Sequence, residues 1–368
     1  MKILDRYILK NFIQNFFFGL FCFIIIFILI DLFENLDKFV DRQVPTGIII
    51  NYYLNFVPEI IKLLIPVATL LASLFTISRF NTYSEFTAMQ SGGMSLARYL
   101  TPIIGFGLIL TIFSLYFNGW IVPESNKTKF ALERTYLGKN QIRAQVQNLY
   151  LQDNFNRIIT LGVYNEAENK AQNVSVQVFN ADTLTNLKYR LDIYEMKWDS
   201  VNSDWKGKNI IYREFINDST VSLEEYKERN ISDFQQIGKI NLTPGIITKN
   251  QLKPDELSIS EYRQFIDNLK SSGLASERAE VDYYSKFSFP FASLITILFG
   301  ASISVNRRRG GAALQFGISI LVSFIYLGFV KISQVFGYNG EMSPVLTAWF
   351  ANIIFLAIAV VNFLRMRI

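Results

Sequence analysis

Six stretches of the chain stay apolar for the ~20 residues that a helix needs to cross a bilayer: residues 12–33, 48–80, 100–122, 287–305, 312–336 and 344–364. A soluble domain spreads its apolar residues at a period of 3.6 or 2, so that one face of each element meets water. These runs leave no such face, and they predict six membrane-spanning helices. The first is too long for a cleaved leader and runs into Asp31-Leu-Phe-Glu-Asn-Leu-Asp37 without a small-residue cleavage site. The second exceeds what a bilayer requires and carries Pro58 and Pro66, which predicts a kinked or tilted helix reaching beyond the membrane.

Orientation follows from the placement of Lys and Arg in short flanks. Lys2, Arg6 and Lys10, then Arg79 and Arg98, then Arg307-Arg308-Arg309, then Arg365 and Arg367 all fall on one side when crossings are counted. That side is expected to be the cytoplasm, with both termini in it. The opposite short loops carry Asp31, Glu34, Asp37, Asp41 and Glu341, beside Lys38 and Arg42. The net charge of +5 is accounted for by these flanks, so no nucleic-acid partner is implied.

The chain has no His and a single Cys, Cys22, inside the first apolar run. Triad hydrolysis and His-based zinc chemistry are excluded, no disulfide can form within the chain, and no cofactor is called for. Cys22 reads as a small core residue.

From Pro123 to about Glu280 the chain turns polar. Val174, Val176 and Val178 alternate as in a half-buried strand. Residues 148–151 and 157–161 read as a strand pair, and residues 191–198 and 205–215 as a hairpin around the turn-rich 199–204. Ser258-Ile-Ser-Glu261 is a capping-box pattern followed by Tyr262, Phe265, Ile266 and Leu269 at helical spacing. The fold expected is a six-helix (3+3) membrane protein with an inserted all-β, jelly-roll-like domain. Residues 1–123 hold helices one to three, 124–280 the β domain with its terminal helical segment, and 281–368 helices four to six.

The loop between the second and third spans, about 82–93, is neither charged enough for a plain solvated loop nor apolar enough to span. Phe86 and Met89 lie three apart, Glu85 sits in the first turn, and Gly92-Gly93 terminates the segment. This predicts a short amphipathic helix on the cytoplasmic surface. Periodicity leaves two uses open: resting on lipid headgroups, or inserting Phe86 and Met89 into a partner's groove while Glu85 meets a basic residue.

The chain resembles the LptF/LptG permeases of lipopolysaccharide export, LptG more than LptF. The resemblance rests on Leu4-Asp-Arg-Tyr-Ile8, Ser84-Glu-Phe-Thr-Ala-Met-Gln-Ser-Gly-Gly93 with Arg98 and Pro102, Leu242-Thr-Pro244, Leu257-Ser-Ile-Ser260, Leu269-Lys-Ser-Ser-Gly273, and Ser285-Lys-Phe before Pro290. It implies an ABC-transporter permease subunit of the bacterial inner membrane. Such a subunit pairs with an LptF-like paralogue over an LptB-like ATPase dimer and feeds lipopolysaccharide through a periplasmic β-jellyroll to LptC-like and LptA-like bridge proteins. It also implies that the loop helix is the coupling helix, with Glu85, Phe86, Met89 and Arg79 meeting the ATPase. Lys38 and Arg42 would then lie where relatives carry lysines that meet lipid A phosphates. Here, however, Asp31, Glu34, Asp37 and Asp41 surround them, which suggests fewer phosphates, a bridging cation or contacts from the partner. Lys331 is a second candidate phosphate ligand, or a residue that snorkels to the headgroups or pairs with an acidic neighbour.

No G-x-x-x-x-G-K-[ST] loop occurs, so ATP hydrolysis would belong to another chain. Two other classes remain. A lipid-modifying membrane enzyme would use Asp31 and Glu34, one helical turn apart. A secondary transporter would need ionisable groups at mid-membrane, where only Glu59 and Lys62 come near.

Overall fold

The computed structural model describes residues 3–138, 145–165, 168–180, 186–216, 219–249, 252–271, 274–305 and 312–365. Lys2, Gly273, the cluster Arg307–Arg309 and Arg367 lie outside the described residues. The chain divides into a helical unit (Met1–Leu137, Pro254–Ser260 and Glu277–Ile368) and a sheet unit (Gly138–Lys253 and Glu261–Ser276).

In the helical unit the apolar runs become α1 (Ile3–Asp41), α2 (Thr46–Thr82), the short α3 (Glu85–Ser91), α4 (Leu96–Tyr116) and α5 (Val122–Leu132). Five-residue π-helical turns, Phe117–Ile121 and Glu133–Leu137, follow α4 and α5. Among the described residues, six helical stretches are long and apolar enough to cross a membrane: Ile3–Asp41, Thr46–Thr82, Ala97–Leu137, Glu277–Ile303, Leu314–Tyr338 and Pro344–Asn362. The third therefore runs on to Leu137, past the boundary drawn at residue 124, although residues 124–137 are polar. α2 keeps both prolines inside one continuous helix.

Along α1 the buried residues Ile8, Phe12, Phe16, Leu20 and Phe23 recur every three or four positions, a single stripe laid on α2. Hydroxyl pairs stitch neighbouring helices together. Thr69 of α2 meets Thr296 at 2.9 Å, Thr111 of α4 meets Ser293 at 3.1 Å, and Asn15 donates to Thr76 at 2.9 Å. In lipid, where burial alone does not hold helices together, such small polar contacts and close packing do.

In the sheet unit, β1 (Gln145–Asn154), β2 (Arg157–Asn165), β3 (Lys170–Phe179), β4 (Leu187–Asp199), β5 (Asp204–Ile216) and β6 (Ser219–Asn230) form one antiparallel sheet. Its strands lie in chain order. The expected strand pair and hairpin are β1–β2 and β4–β5, and Val174, Val176 and Val178 all face the core. β6 lies outside the strands expected from sequence; its run Glu224-Glu-Tyr-Lys-Glu-Arg229 is highly charged. As the last strand of the sheet it tolerates those charges, and Lys206 of β5 pairs with Glu228 at 3.1 Å. Charges on an edge strand also discourage pairing with other chains. α6 (Pro244–Lys249) follows, then α7 (Ile259–Ser271), which matches the segment after the capping-box pattern.

One line crosses the whole sheet where pairing is skipped without a slip of register: Asn148, Gly162, Asn173, Tyr194, Asn209 and Lys227, one residue per strand. Asn173 and Asn209 have φ of 52° and 51°, and a Cβ on Gly162 would lie 2.8 Å from Cβ of Asn173. The buried positions change parity across this crease, from Leu161 to Tyr164, from Val174 to Ala171 and from Ile193 to Met196. β2, β3 and β4 shift together, so their apolar residues stay on one face across the crease. Interrupted ladders of this kind bend strands and increase twist.

On the same sheet, Lys170 of β3 reaches Glu195 of β4 at 2.9 Å, and this bond holds the Glu195 carboxyl below its ordinary range. A depressed carboxylate stabilises the fold above its unfolded pKa and loses that contribution as pH falls through the folded value. Hydrogen exchange at β3–β4 is expected to accelerate as pH drops below about 4.5 more in the native chain than in Glu195→Gln, after correction for intrinsic exchange.

Pro254–Ser260 belongs to the helical unit, Glu261–Ser276 to the sheet unit, and the helical unit resumes with α8 (Glu277–Ser288), α9 (Ala292–Val305), α10 (Ala312–Tyr338) and α11 (Pro344–Arg365). Near the end of α10, a Cβ on Gly337 would stand 2.5 Å from Thr347 and 2.8 Å from Val281. Gly337→Ala is therefore expected to force α8, α10 and α11 apart, at a cost of about 1–3 kcal/mol, read as a lower melting temperature of the purified full chain.

Candidate functional site

The short helix α3 is fixed from below. Phe86 is only 6% exposed, its ring edge-on to Tyr99 at 5.3 Å, and Tyr99 is itself edge-on to Phe80 at 5.8 Å. Met89 packs partly on the same core. The amphipathic helix predicted from sequence is present, but Phe86 points into its own bundle and is not displayed as an anchor for a partner. The reason is local: the aromatic cage of Phe80 and Tyr99 lies one helix away, and burying a ring there removes more apolar surface from water than leaving it at the rim.

Beside α3 lies a groove of about 800 Å³. α1 contributes Leu4, Asp5 and Tyr7, α3 contributes Glu85, Ala88 and Met89, and Arg98 closes it from α4. Its polar groups are tied in pairs. Tyr7 Oη donates to Glu85 Oε2 at 3.1 Å, and Arg98 Nη2 donates to both Asp5 oxygens at 3.0 and 2.8 Å. Arg79 Nη1 donates to Asn11 Oδ1 at 3.1 Å. The structure thus brings Glu85, Met89 and Arg79 to one end of the bundle, and adds Asp5, Tyr7 and Arg98. Asp5 carried a readable signal, a carboxylate three residues before Ile8 on the apolar stripe of α1, which is costly to bury without a partner.

At the other end of α1, Lys38 in its last turn and Arg42 in the turn just beyond are exposed, with no ion pair among the described residues. Lys331 of α10 donates to Gln334 at 3.2 Å. No contact joins Lys331 to Lys38 or Arg42 among the described residues. Asp31 faces Tyr52, whose hydroxyl lies 3.5 Å from Asp31 Oδ1 and 3.3 Å from Glu133 Oε1. Among the described residues no group of three or more acidic, Cys or His side chains is placed to hold a metal ion.

Sequence reading missed a buried ionic cluster of the helical unit. Lys129 lies 2.8 Å from Glu59 and 4.0 Å from Glu133, with its ammonium 4.1 Å from the centre of the Phe56 ring. The same helices grip the returning strap 254–260: Arg134 pairs with the fully buried Glu256, Lys62 lies 3.9 Å from Asp255, and Lys286 donates to the Leu257 carbonyl at 2.6 Å. These partners are far apart in sequence or lie in a segment read as soluble, so no local pattern announced them.

The sheet unit has its own cavity, about 280 Å³, lined by Leu151, Ile158, Leu242, Ile246, Leu269 and Leu274 with Asp153 at its wall. Burial pushes the Asp153 carboxyl up, and Arg157 opposes this.

Membrane-length helices, an antiparallel sheet unit and a groove beside a short surface helix define a multi-pass helical membrane protein carrying a sizeable β domain. The chain matches the family described as lipopolysaccharide export system permease LptF/LptG over residues 6–365, and it belongs to that family. It is 23% identical over 292 residues to the lipopolysaccharide export system permease protein LptG of Escherichia coli K12, covering 78% of this chain and 76% of that one. With the LptG of Haemophilus influenzae Rd it shares 21% over 268 residues, 72% of this chain and 71% of the relative.

Proposed function

We propose that the chain is the LptG-like permease subunit of an ATP-driven exporter that lifts lipopolysaccharide from the outer leaflet of the inner membrane. The observation that carries this is the family match across residues 6–365, joined to an α3 that stands beside an open groove. In this reading three spans precede the β domain and three follow it, both termini are cytoplasmic, and the β domain is periplasmic. Its creased sheet supplies a jelly-roll-like wall, and the apolar cavity beside β1 and β2 is suited to acyl chains.

The chain has no phosphate-binding loop of its own, so a separate LptB-like ATPase dimer supplies the energy. That ATPase docks at the α3 groove. Glu85 is the charged contact, Met89 lines the groove, Phe86 seats α3 from inside, and Arg79 braces α2 against α1. An LptF-like permease completes the lipid cavity, and LptC-like and LptA-like proteins receive the lipid. Lys38 and Arg42 meet its phosphates first, and Lys331 is a further cation on the same side. Depleting the chain in its own cell is expected to leave newly made lipopolysaccharide in the inner membrane on fractionation. Normal arrival at the outer membrane would overturn the assignment.

A further inference from the structure

α4 and α11 both pack on α9, but between them a slot of about 230 Å³ stays unfilled. Its walls are aliphatic: Ala97, Leu100 and Ile104 from α4, Leu298 from α9, Ala359 and Leu364 from α11. Leu100 and Ala359 at the back are each 1% exposed, whereas Leu364 at the lip is 77% exposed. The slot therefore opens sideways, to the surroundings of the helices. From Ala97 to Ile104 it runs ~10 Å along the helix axis, the direction in which an acyl chain lies in a bilayer.

Size decides between the possible occupants. A helix with its side chains takes on the order of 500 Å³ per turn, so a partner's helix does not enter. A methylene takes about the space of a liquid water, ~30 Å³, so the slot holds roughly eight of them. Charge decides the kind of lipid. Arg365 follows the lip residue Leu364 in the last turn of α11, is exposed, and has no ion-pair or hydrogen-bond partner among the described residues.

We infer that this slot binds one acyl chain of an anionic phospholipid, with the headgroup phosphate paired to Arg365. The lipid belongs to the leaflet at the end of the bundle where α1 begins and α11 ends. This inference rests on the membrane placement proposed above but not on what the chain exports.

The test uses native mass spectrometry of the full chain, equilibrated with equimolar phosphatidylglycerol and phosphatidylcholine. One phosphatidylglycerol is expected to survive delipidation with roughly fivefold preference, the value of one cation at a membrane surface. Arg365→Gln should remove the preference while a lipid is still retained. Ala359→Phe, which fills the back of the slot, should remove retention of both lipids. Val360→Trp, at a further lining residue that is 46% exposed, does the same from the lip and serves if Ala359→Phe fails to fold. Equal retention of the two lipids by the native chain, a preference that survives Arg365→Gln, or lipid retained in a folded filled-slot variant would overturn the inference. So would a photo-crosslink from position 360 to another polypeptide.

Discussion

Glu85→Lys is expected to abolish capture of the ATPase by the purified permease. Glu85 is the one carboxylate on α3, and it stands at the rim of a groove whose other acid, Asp5, is already bound by Arg98. Reversing it puts an ammonium group into a groove that Arg98 also lines and leaves no carboxylate on α3. Losing one partner of a desolvated interface charge pair costs about 2–5 kcal/mol, a fall in affinity of roughly thirtyfold to several-thousandfold, and reversal adds repulsion. Tyr7→Phe supplies the control. It removes only the hydroxyl that donates to Glu85, worth about 1 kcal/mol, and should leave capture nearly intact. Co-purification from detergent with the proposed ATPase partner reads both. Unchanged capture by a folded Glu85→Lys chain would remove α3 from the docking surface.

Arg157→Met is expected to have the largest effect on stability. Arg157 starts β2 with 7% of its surface exposed, pairs with Asp153, and donates to the carbonyls of Ile237 and, at 3.0 Å, Lys239. It thereby pins the segment after β6 back onto β2. Met fills similar volume but leaves a buried carboxylate and two carbonyls without that donor, a loss of about 3–5 kcal/mol. Hydrogen exchange in the full chain should show faster opening at β1, β2 and residues 234–242, with α1, α2 and α9 unaffected. Asp153→Asn in the Arg157→Met background should recover part of the loss, because the stranded charge is gone. Protection unchanged in the single variant would show that the pair contributes little.

How far the sequence speaks depends on the range of the interaction. The apolar runs of α1, α2, α4, α9, α10 and α11 declare themselves because lipid tolerates almost nothing else, and Val174-Ser-Val-Gln-Val178 does so because a half-buried strand must alternate. Residues 124–137 read as soluble although they continue a membrane-length helix. Their charges are answered by Glu59, Tyr52 and Glu256, partners that no local window contains. β6 carries too little apolar alternation to be read alone, and its charges find a partner in Lys206 of β5. The crease through Gly162, Asn173 and Asn209 is a property of six strands in register, not of any one.

At the candidate site, Glu85 and Met89 were legible from the spacing of a short amphipathic helix. Phe86 was legible as apolar but not as inward-facing, because its cage is built from Phe80 and Tyr99 on other helices. Asp5, Tyr7 and Arg98 lie within stretches that carry the family resemblance, yet their pairing requires α1, α3 and α4 to be placed together. Lys38, Arg42 and Lys331 are visible in both readings as exposed cations, and the lipid contact proposed for them rests on the family resemblance, not on a contact within the chain.

Release of lipopolysaccharide from vesicles tests the central claim most directly. Vesicles containing this chain with its paralogous permease, the ATPase and a soluble bridge protein as acceptor should give up lipopolysaccharide only when ATP is added. Vesicles carrying Glu85→Lys in place of the native chain should release none. ATP-dependent release that continues when this chain is left out would contradict the account, as would vesicles that hydrolyse ATP with the native chain present and transfer no lipid.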